Sequence, residues 1–248
     1  MNSLAQAPAD GYTILFAASN MVGQAATNAK FEAGIRGVLS PVSEVVKGPL
    51  VIAVNPSVPV HSLQELVSYS KANPNKLNFG SVGIGSSAHF VMEYFKALTG
   101  AELTHVPYPG APATLQAALQ GDIDVMTETP ALIQTYIEQG KLRALAVTGD
   151  KRYPGLANVS SAGEVGLQSL DFGFWMGTFV RAGTPPAVVS KLNATTAAIL
   201  REPKIVAQLS SLGYIPVGGS QQEFAKRVES EVARFTKIAI DNHLRIQE

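Results

Sequence analysis

Short apolar, β-rich runs alternate along the chain with stretches whose apolar residues recur every three or four positions, the alternation expected of an α/β protein with mainly parallel sheets. The predicted strands are 12–17, 50–54, 77–81, 102–106, 123–126, 142–147 and 174–181. Helix starts are well marked. Ser62-Leu-Gln-Glu65 and Ser220-Gln-Gln-Glu223 read as capping boxes, and Thr129-Pro130 and Thr184-Pro185 place a cap residue before a proline. After the second box, Phe224, Val228, Val232, Phe235 and Ile238 predict a long amphipathic C-terminal helix with one face docked on a sheet. The Pro-containing passage at 54–59 and the Gly-rich approach to Phe174 read as crossings between two lobes. One lobe is then 1–54 with 173–248, the other 55–172.

Chemistry concentrates where the strand at 77–81 turns through Gly83, Ile84 and Gly85 into a helix opened by Ser86 and Ser87. Backbone N–H groups at a helix start lack intrahelical partners and sit at the positive end of the macrodipole, so the segment predicts an anion cradle. Gly83 to Ala88 also fits the G-x-G-x-x-A dinucleotide fingerprint, which expects an acid at the far end of the next strand. Glu102 stands at the start of that strand instead, which counts against a dinucleotide. No Lys follows the glycines, which excludes a P-loop. A tight turn with a helix cap and no ligand remains the structural alternative.

Ligands of open α/β sheets bind outside the carboxyl ends of the strands. Ser19 and Asn20 follow the first strand; Ser81, Gly83, Gly85, Ser86 and Ser87 follow the third; Tyr108 and Gly110 follow the fourth; Thr127, Glu128 and Thr129 follow the fifth. Amides, hydroxyls and one carboxylate make a recognition set and a poor catalytic one. The serines lie in no G-x-S-x-G elbow, and His61, His89, His105 and His243 show no metal spacing. No catalytic residue, metal ligand or cofactor is therefore assigned, and His89 reads as a packing or capping residue. Asp122 and Asp124 read as solvated turn residues, and Phe174 and Trp175 as core or cleft wall.

Composition narrows the partners. With 248 residues and 46% hydrophobic content the chain can bury a real core, and its net charge of zero without a basic run argues against nucleic acid. Cysteine is absent, which removes disulfides and thiolate chemistry. Apolar runs such as Leu50–Val54 fall far short of the roughly 18 residues of a membrane span. The first eight residues have neither the basic nor the apolar region of a signal peptide, so the chain as written is expected in the cytoplasm.

Taken together, the segments at 8–15, 54–57, 77–81, 85–89, 105–112, 121–126, 140–148 and 182–185 resemble the tripartite tricarboxylate transporter receptors, the Bug-type periplasmic solute-binding proteins. The resemblance implies a two-lobed type II periplasmic binding fold, a monomer, that takes a small carboxylate-bearing solute in its interlobe cleft and delivers it to a membrane permease. It implies that 81–87 holds a ligand carboxylate, that Tyr108 borders the cleft, that Ser19 and Asn20 are the first lobe's contribution, and that Glu128 disfavours a nearby carboxylate and favours an amino or hydroxyl group. Such receptors begin with a signal peptide, a strand, a ligand loop and a helix before the segment at 8–15. This chain starts just upstream of that segment, so the first lobe is expected to lack that strand and helix and to expose apolar surface and strand edges. LysR-type effector domains share a related fold but follow a helix-turn-helix, and none precedes Tyr12. A Rossmann oxidoreductase is the third reading.

Overall fold

The computed structural model describes residues 2–241 and residue 244. In chain order the first elements are α1 (Asn2–Gln6), β1 (Leu15–Ala18), α2 (Asn20–Thr27), α3 (Ala29–Val38), β2 (Leu39–Pro49), β3 (Val51–Val54), α4 (Leu63–Ala72), β4 (Asn78–Ser81) and α5 (Ser87–Thr99). There follow β5 (Thr104–Pro107), α6 (Ala111–Gln120), β6 (Val125–Glu128), α7 (Pro130–Glu138), β7 (Arg143–Val147) and a 3-10 turn (Pro154–Leu156). The chain continues with β8 (Gly173–Arg181), α8 (Pro186–Ile199), α9 (Pro203–Ser211), β9 (Ile215–Pro216) and α10 (Gln221–Asp241). Each predicted strand is present, its ends shifted by no more than three residues.

The chain forms two compact units, 1–48 with 174–248, and 49–173. The first unit has a four-stranded sheet in the order β1-β8-β2-β9, with β1 antiparallel to β8 and β9 antiparallel to β2. Phe224 of α10 meets Trp175 edge-on at 5.2 Å and Phe179 at 5.3 Å between ring centroids. Phe224, Val228, Val232, Phe235 and Ile238 are all buried, as their spacing predicts, and α10 also packs along α2. β1 is an edge strand, and Phe16 within it and Ile14 and Tyr12 just before it are 56%, 48% and 94% exposed.

The second unit has a five-stranded sheet in the order β5-β4-β6-β3-β7. β4 runs parallel to both β5 and β6, whereas β3 is antiparallel to β6 and β7. β4, β5, β6 and β7 thus point one way and β3 runs against them, although helix α4 joins it to β4. The expectation of mainly parallel pairing fails at β3 and in the first sheet, because a helix between two strands is long enough to allow a parallel return but does not impose one. β3, placed with the first lobe by its sequence position, pairs on both sides within the second sheet, so the first crossing lies before it. Its four residues are completely buried, consistent with a continuous apolar run in a sheet covered on both faces.

β2 and β9 carry no clear strand pattern. Pro41, Glu44, Lys47 and Pro49 interrupt the apolar run of β2, and β9 has only two residues. The two proline-preceding threonines also depart from expectation. Thr129 precedes α7, yet its hydroxyl donates to Glu128 rather than capping the helix. Thr184 donates to the Arg181 carbonyl, and Pro185 is the residue before α8. Both capping boxes cap as predicted: Ser62 Oγ accepts from Glu65 N–H, and Ser220 and Glu223 bond reciprocally.

Candidate ligand cradle at the ends of three parallel strands

Within the second unit, β5, β4 and β6 lie side by side and parallel, so Ser81, Pro107 and Glu128 end at one edge of the sheet. From that edge the chain turns at once into α5, α6 and α7. Three helix N-termini leave a common rim, where unpaired amides and the macrodipoles favour negative charge. Ser81, Gly83, Gly85, Ser86, Ser87, Tyr108, Gly110, Thr127 and Glu128 all belong to this rim. Ser19 and Asn20 belong to the first unit.

The 81–86 turn is knit together largely from inside. Gly83 and Gly85 have φ of 116° and 82°, which glycine adopts without strain. Ser81, fully buried, donates its hydroxyl to the Gly83 carbonyl at 3.0 Å and accepts the Gly83 N–H at 3.2 Å. Its own carbonyl accepts the Tyr108 N–H at 2.9 Å and the Thr114 hydroxyl at 3.3 Å, which fastens the turn after β5 to the turn after β4. The Ser86 N–H returns to the Gly83 carbonyl at 3.2 Å, and Ser86 Oγ caps α5 by accepting the His89 N–H at 3.2 Å. The Gly85 N–H donates to His89 Nδ1 at 3.3 Å. The amides of Gly83 and Gly85, expected to face a ligand, are thus engaged within the turn. The Ile84 N–H has no hydrogen bond among the described residues, and Ile84 is 59% exposed.

Two histidines support the turn from beneath. The tilted rings of His89 and His105 have centroids 4.1 Å apart, and Phe79 packs against both, 4.8 Å from His105 and 6.4 Å from His89. His105 Nε2 is 2.7 Å from Ser81 Oγ. Burial, the neighbouring His105 and the Lys96 ammonium hold His89 down to about 3; burial and Lys96 hold His105 at about 4. Both rings are therefore neutral at neutral pH. His89 packs and accepts a loop amide, in line with its expected structural role. His105, read in the sequence only as a histidine without metal spacing, meets Ser81 through the β4–β5 pairing, which no local pattern announces. The Ser81–His105 spacing suits a nucleophile and base, but Ser81 is completely buried and no carboxylate bonds His105 Nδ1 among the described residues.

At the end of β6, Glu128 Oε2 accepts the Thr129 N–H at 2.7 Å and the Thr129 hydroxyl at 3.2 Å. Burial outweighs those bonds and pushes the Glu128 carboxyl above its usual range. Thr127, one rung beyond the Gly80–Met126 pair, is 1% exposed, and its hydroxyl has no partner among the described residues. Leaving such a group unpaired costs about 1–3 kcal/mol, so it marks a place where a partner is wanted. Tyr108 is half-buried against the cluster around Leu115 and Met126, and the Gly110 N–H donates to the Tyr108 carbonyl. In the first unit, Ser19 is buried, with its Oγ accepting the Trp175 N–H at 3.4 Å and its N–H donating to the Trp175 carbonyl; Asn20 is exposed at the start of α2.

Asp124 accepts the Asn78 N–H at the opposite end of β4, so it is a turn residue with a structural bond rather than a purely solvated one. No group of three or more His, Cys, Asp or Glu side chains suits a metal among the described residues, and His243 lies outside them. No helix among the described residues is long and apolar enough to cross a membrane.

The family model described as tripartite tricarboxylate transporter family receptor matches residues 1–244. The chain belongs to this receptor family. A UPF0065 protein of Bordetella pertussis is 32% identical to it over 234 residues, covering 94% of this chain and 72% of that protein. BugT of the same organism is 27% identical, with 96% and 73% covered. Among solved structures, Rpa4515 of R. palustris with adipate superposes with a TM-score of 0.87 at 31% identity, covering 97% of this chain and 81% of that one. The periplasmic binding protein BugD superposes at 0.86 and 25% identity, with 99% and 83% covered. The fold is thus the two-lobed α/β fold of these tricarboxylate transporter receptors, a family of solute-binding proteins rather than enzymes.

Proposed function

We propose that the protein is an extracytoplasmic receptor that captures a small organic carboxylate and delivers it to a membrane permease of the tripartite tricarboxylate type. One observation carries the carboxylate assignment: three helix N-termini and the buried, unpartnered Thr127 hydroxyl meet at the ends of β4, β5 and β6, with no basic side chain among the rim residues. Neutral donors of this kind suit a carboxylate, which accepts several hydrogen bonds without needing a counter-charge. The adipate-bound R. palustris relative and the periplasmic relative BugD support the ligand class and the compartment. Ser86, Ser87, Thr127 and the Ile84 amide are the donors, Ser81, Gly83 and Gly85 shape the turn that presents them, Tyr108 and Gly110 form the adjoining wall, and Glu128 selects among ligands by its charge. Ser19 and Asn20 enter through the family resemblance alone. The receptor acts as a monomer.

A thermal-shift panel of mono-, di- and tricarboxylates, aromatic acids and acidic amino acids, with adipate included, tests the reading. A true ligand at a hundred times its dissociation constant stabilises the protein by about 2.7 kcal/mol. Silence across the whole panel overturns the carboxylate assignment.

A further inference from the structure

The feature the ligand reading leaves unused is the buried histidine pair under the turn. His89 projects from the first turn of α5 and His105 from β5, and their rings lie against each other at a tilt of 30° with Phe79 packed beside both. Each imidazole touches a different end of the same short turn: His105 Nε2 lies on Ser81 Oγ where the turn begins, and His89 Nδ1 accepts the Gly85 N–H just before α5. Between these contacts lies Ile84, an exposed residue whose amide has no hydrogen bond among the described residues. A turn with two left-handed glycines has many accessible shapes, and fixing one before binding removes an ordering cost that would otherwise weaken the complex.

We propose that His89 and His105 are positioning residues that hold the 81–86 turn in its ligand-ready shape, with the neutral His89 ring as the acceptor for Gly85. The choice of ligand class rests on the carboxylate reading above, whereas the hold on the turn does not. The Gly85 amide bond requires Nδ1 of His89 to be unprotonated, so the ring proton sits on Nε2. Removing that acceptor leaves a buried amide unpaired and frees the turn. The titratable groups around the pair are few. Lys96 of α5 lies over the Phe79 ring, 5.6 Å from its centroid, and is bonded to Glu93 of the same helix. β4, α6 and the rest of β5 carry no titratable side chain, and β6 carries only Glu128. Lys96 thus favours the neutral imidazoles the arrangement needs.

The test uses isotope-labelled full-length chain. Long-range proton–nitrogen NMR spectra report the tautomer of His89, and amide hydrogen exchange reports the Gly85 bond in wild type, His89→Leu and His89→Asn. Asn Oδ1 can replace Nδ1 as the acceptor; Leu cannot. The expected result is an Nε2–H tautomer at neutral pH, Gly85 exchange faster by about tenfold in the leucine variant, and recovery of most of that protection in the asparagine variant. Adipate affinity should fall and recover in the same order. His105→Leu against His105→Gln makes the same comparison at Ser81.

An Nδ1–H tautomer, or Gly85 exchange that is indifferent to His89→Leu, overturns the proposal. Should the leucine variants not fold, the wild-type Gly85 amide signal must follow the His89 titration, and a Gly85 signal that ignores it also overturns the proposal. If wild type binds no carboxylate at all, the receptor reading fails while the exchange result still decides the role of the histidines.

Discussion

Arg227 Nη1 lies 2.7 Å from Glu44 Oε1, joining helix α10 to strand β2 inside the first unit. The same guanidinium holds Glu231 at 2.9 Å through Nε, and the other oxygen of Glu231 accepts the Trp175 indole N–H at 2.7 Å. Burial raises the Glu44 carboxyl above its usual range even though Arg227 and Lys47 pull it down, so the charged form depends on its partner. Arg227→Met should therefore destabilise the protein by about 3–5 kcal/mol, because it strands a buried carboxylate. Glu44→Gln, which removes the charge, should cost clearly less. Urea unfolding of both variants checks the order, and equal losses would contradict it.

The histidine pair makes stability sensitive to acid. Both rings have folded values below the ordinary 6.5, so between that value and about 3 the unfolded chain binds protons that the folded chain refuses. Stability is complete above 6.5 and falls with pH below it, for His89 by up to about 1.4 kcal/mol per pH unit. The more exposed His105 contributes less because solvent screens it. Glu44 and Glu128, both raised, act in the opposite sense above the ordinary carboxyl value of 4.5, gaining stability as pH falls. The readout is therefore a difference: a His89→Asn, His105→Gln double variant should lose less stability than wild type on acidification, measured by denaturant midpoints across that range.

Ser86 can be tested as a cap and as a ligand group separately. Its Oγ caps α5, and aspartate caps about as well as serine, so Ser86→Asp should leave thermal stability nearly unchanged. The added charge stands where a carboxylate is proposed to bind, so affinity for every carboxylate in the panel should collapse. Ser86→Ala should instead lower stability by about 1 kcal/mol. Intact carboxylate binding in the aspartate variant would place the ligand elsewhere.

Glu128 offers a charge-based prediction about ligand choice. Its ionised form repels a second carboxylate, so Glu128→Gln should bind adipate more tightly than wild type by about tenfold at neutral pH. The gap should close as pH falls through the raised value of the Glu128 carboxyl, where wild type loses the charge as well. Calorimetry at several pH values decides it. An unchanged ligand profile at every pH would remove Glu128 from the site.

What the sequence reveals is whatever is encoded locally. Ser62 and Ser220 advertise their helices within three residues, and Phe224 to Ile238 disclose a buried face through spacing alone. β2 stays hidden because the burial of Glu44 is made tolerable by Arg227, far away in the chain. At the site, the strand-end residues are legible because strand and helix alternate around them. Their hydrogen bonds are not: nothing near Gly85 announces that its amide is taken by His89, and His105 reaches Ser81 only through β4–β5 register. Thr129 shows the converse, a good cap by sequence that a neighbouring carboxylate diverts.

The first unit is assembled from both ends of the polypeptide, and its Glu44–Arg227 bond spans 183 residues. During synthesis the second unit, a continuous stretch, is complete while β2 still lacks both of its sheet neighbours, β8 and β9. β1 and β2 must therefore wait for β8 and β9 to be made, and closing that sheet is a high-contact-order step that follows folding of the middle segment. The order in which the ribosome delivers the chain makes the first unit the slow half to mature and the half most in need of protection until it does.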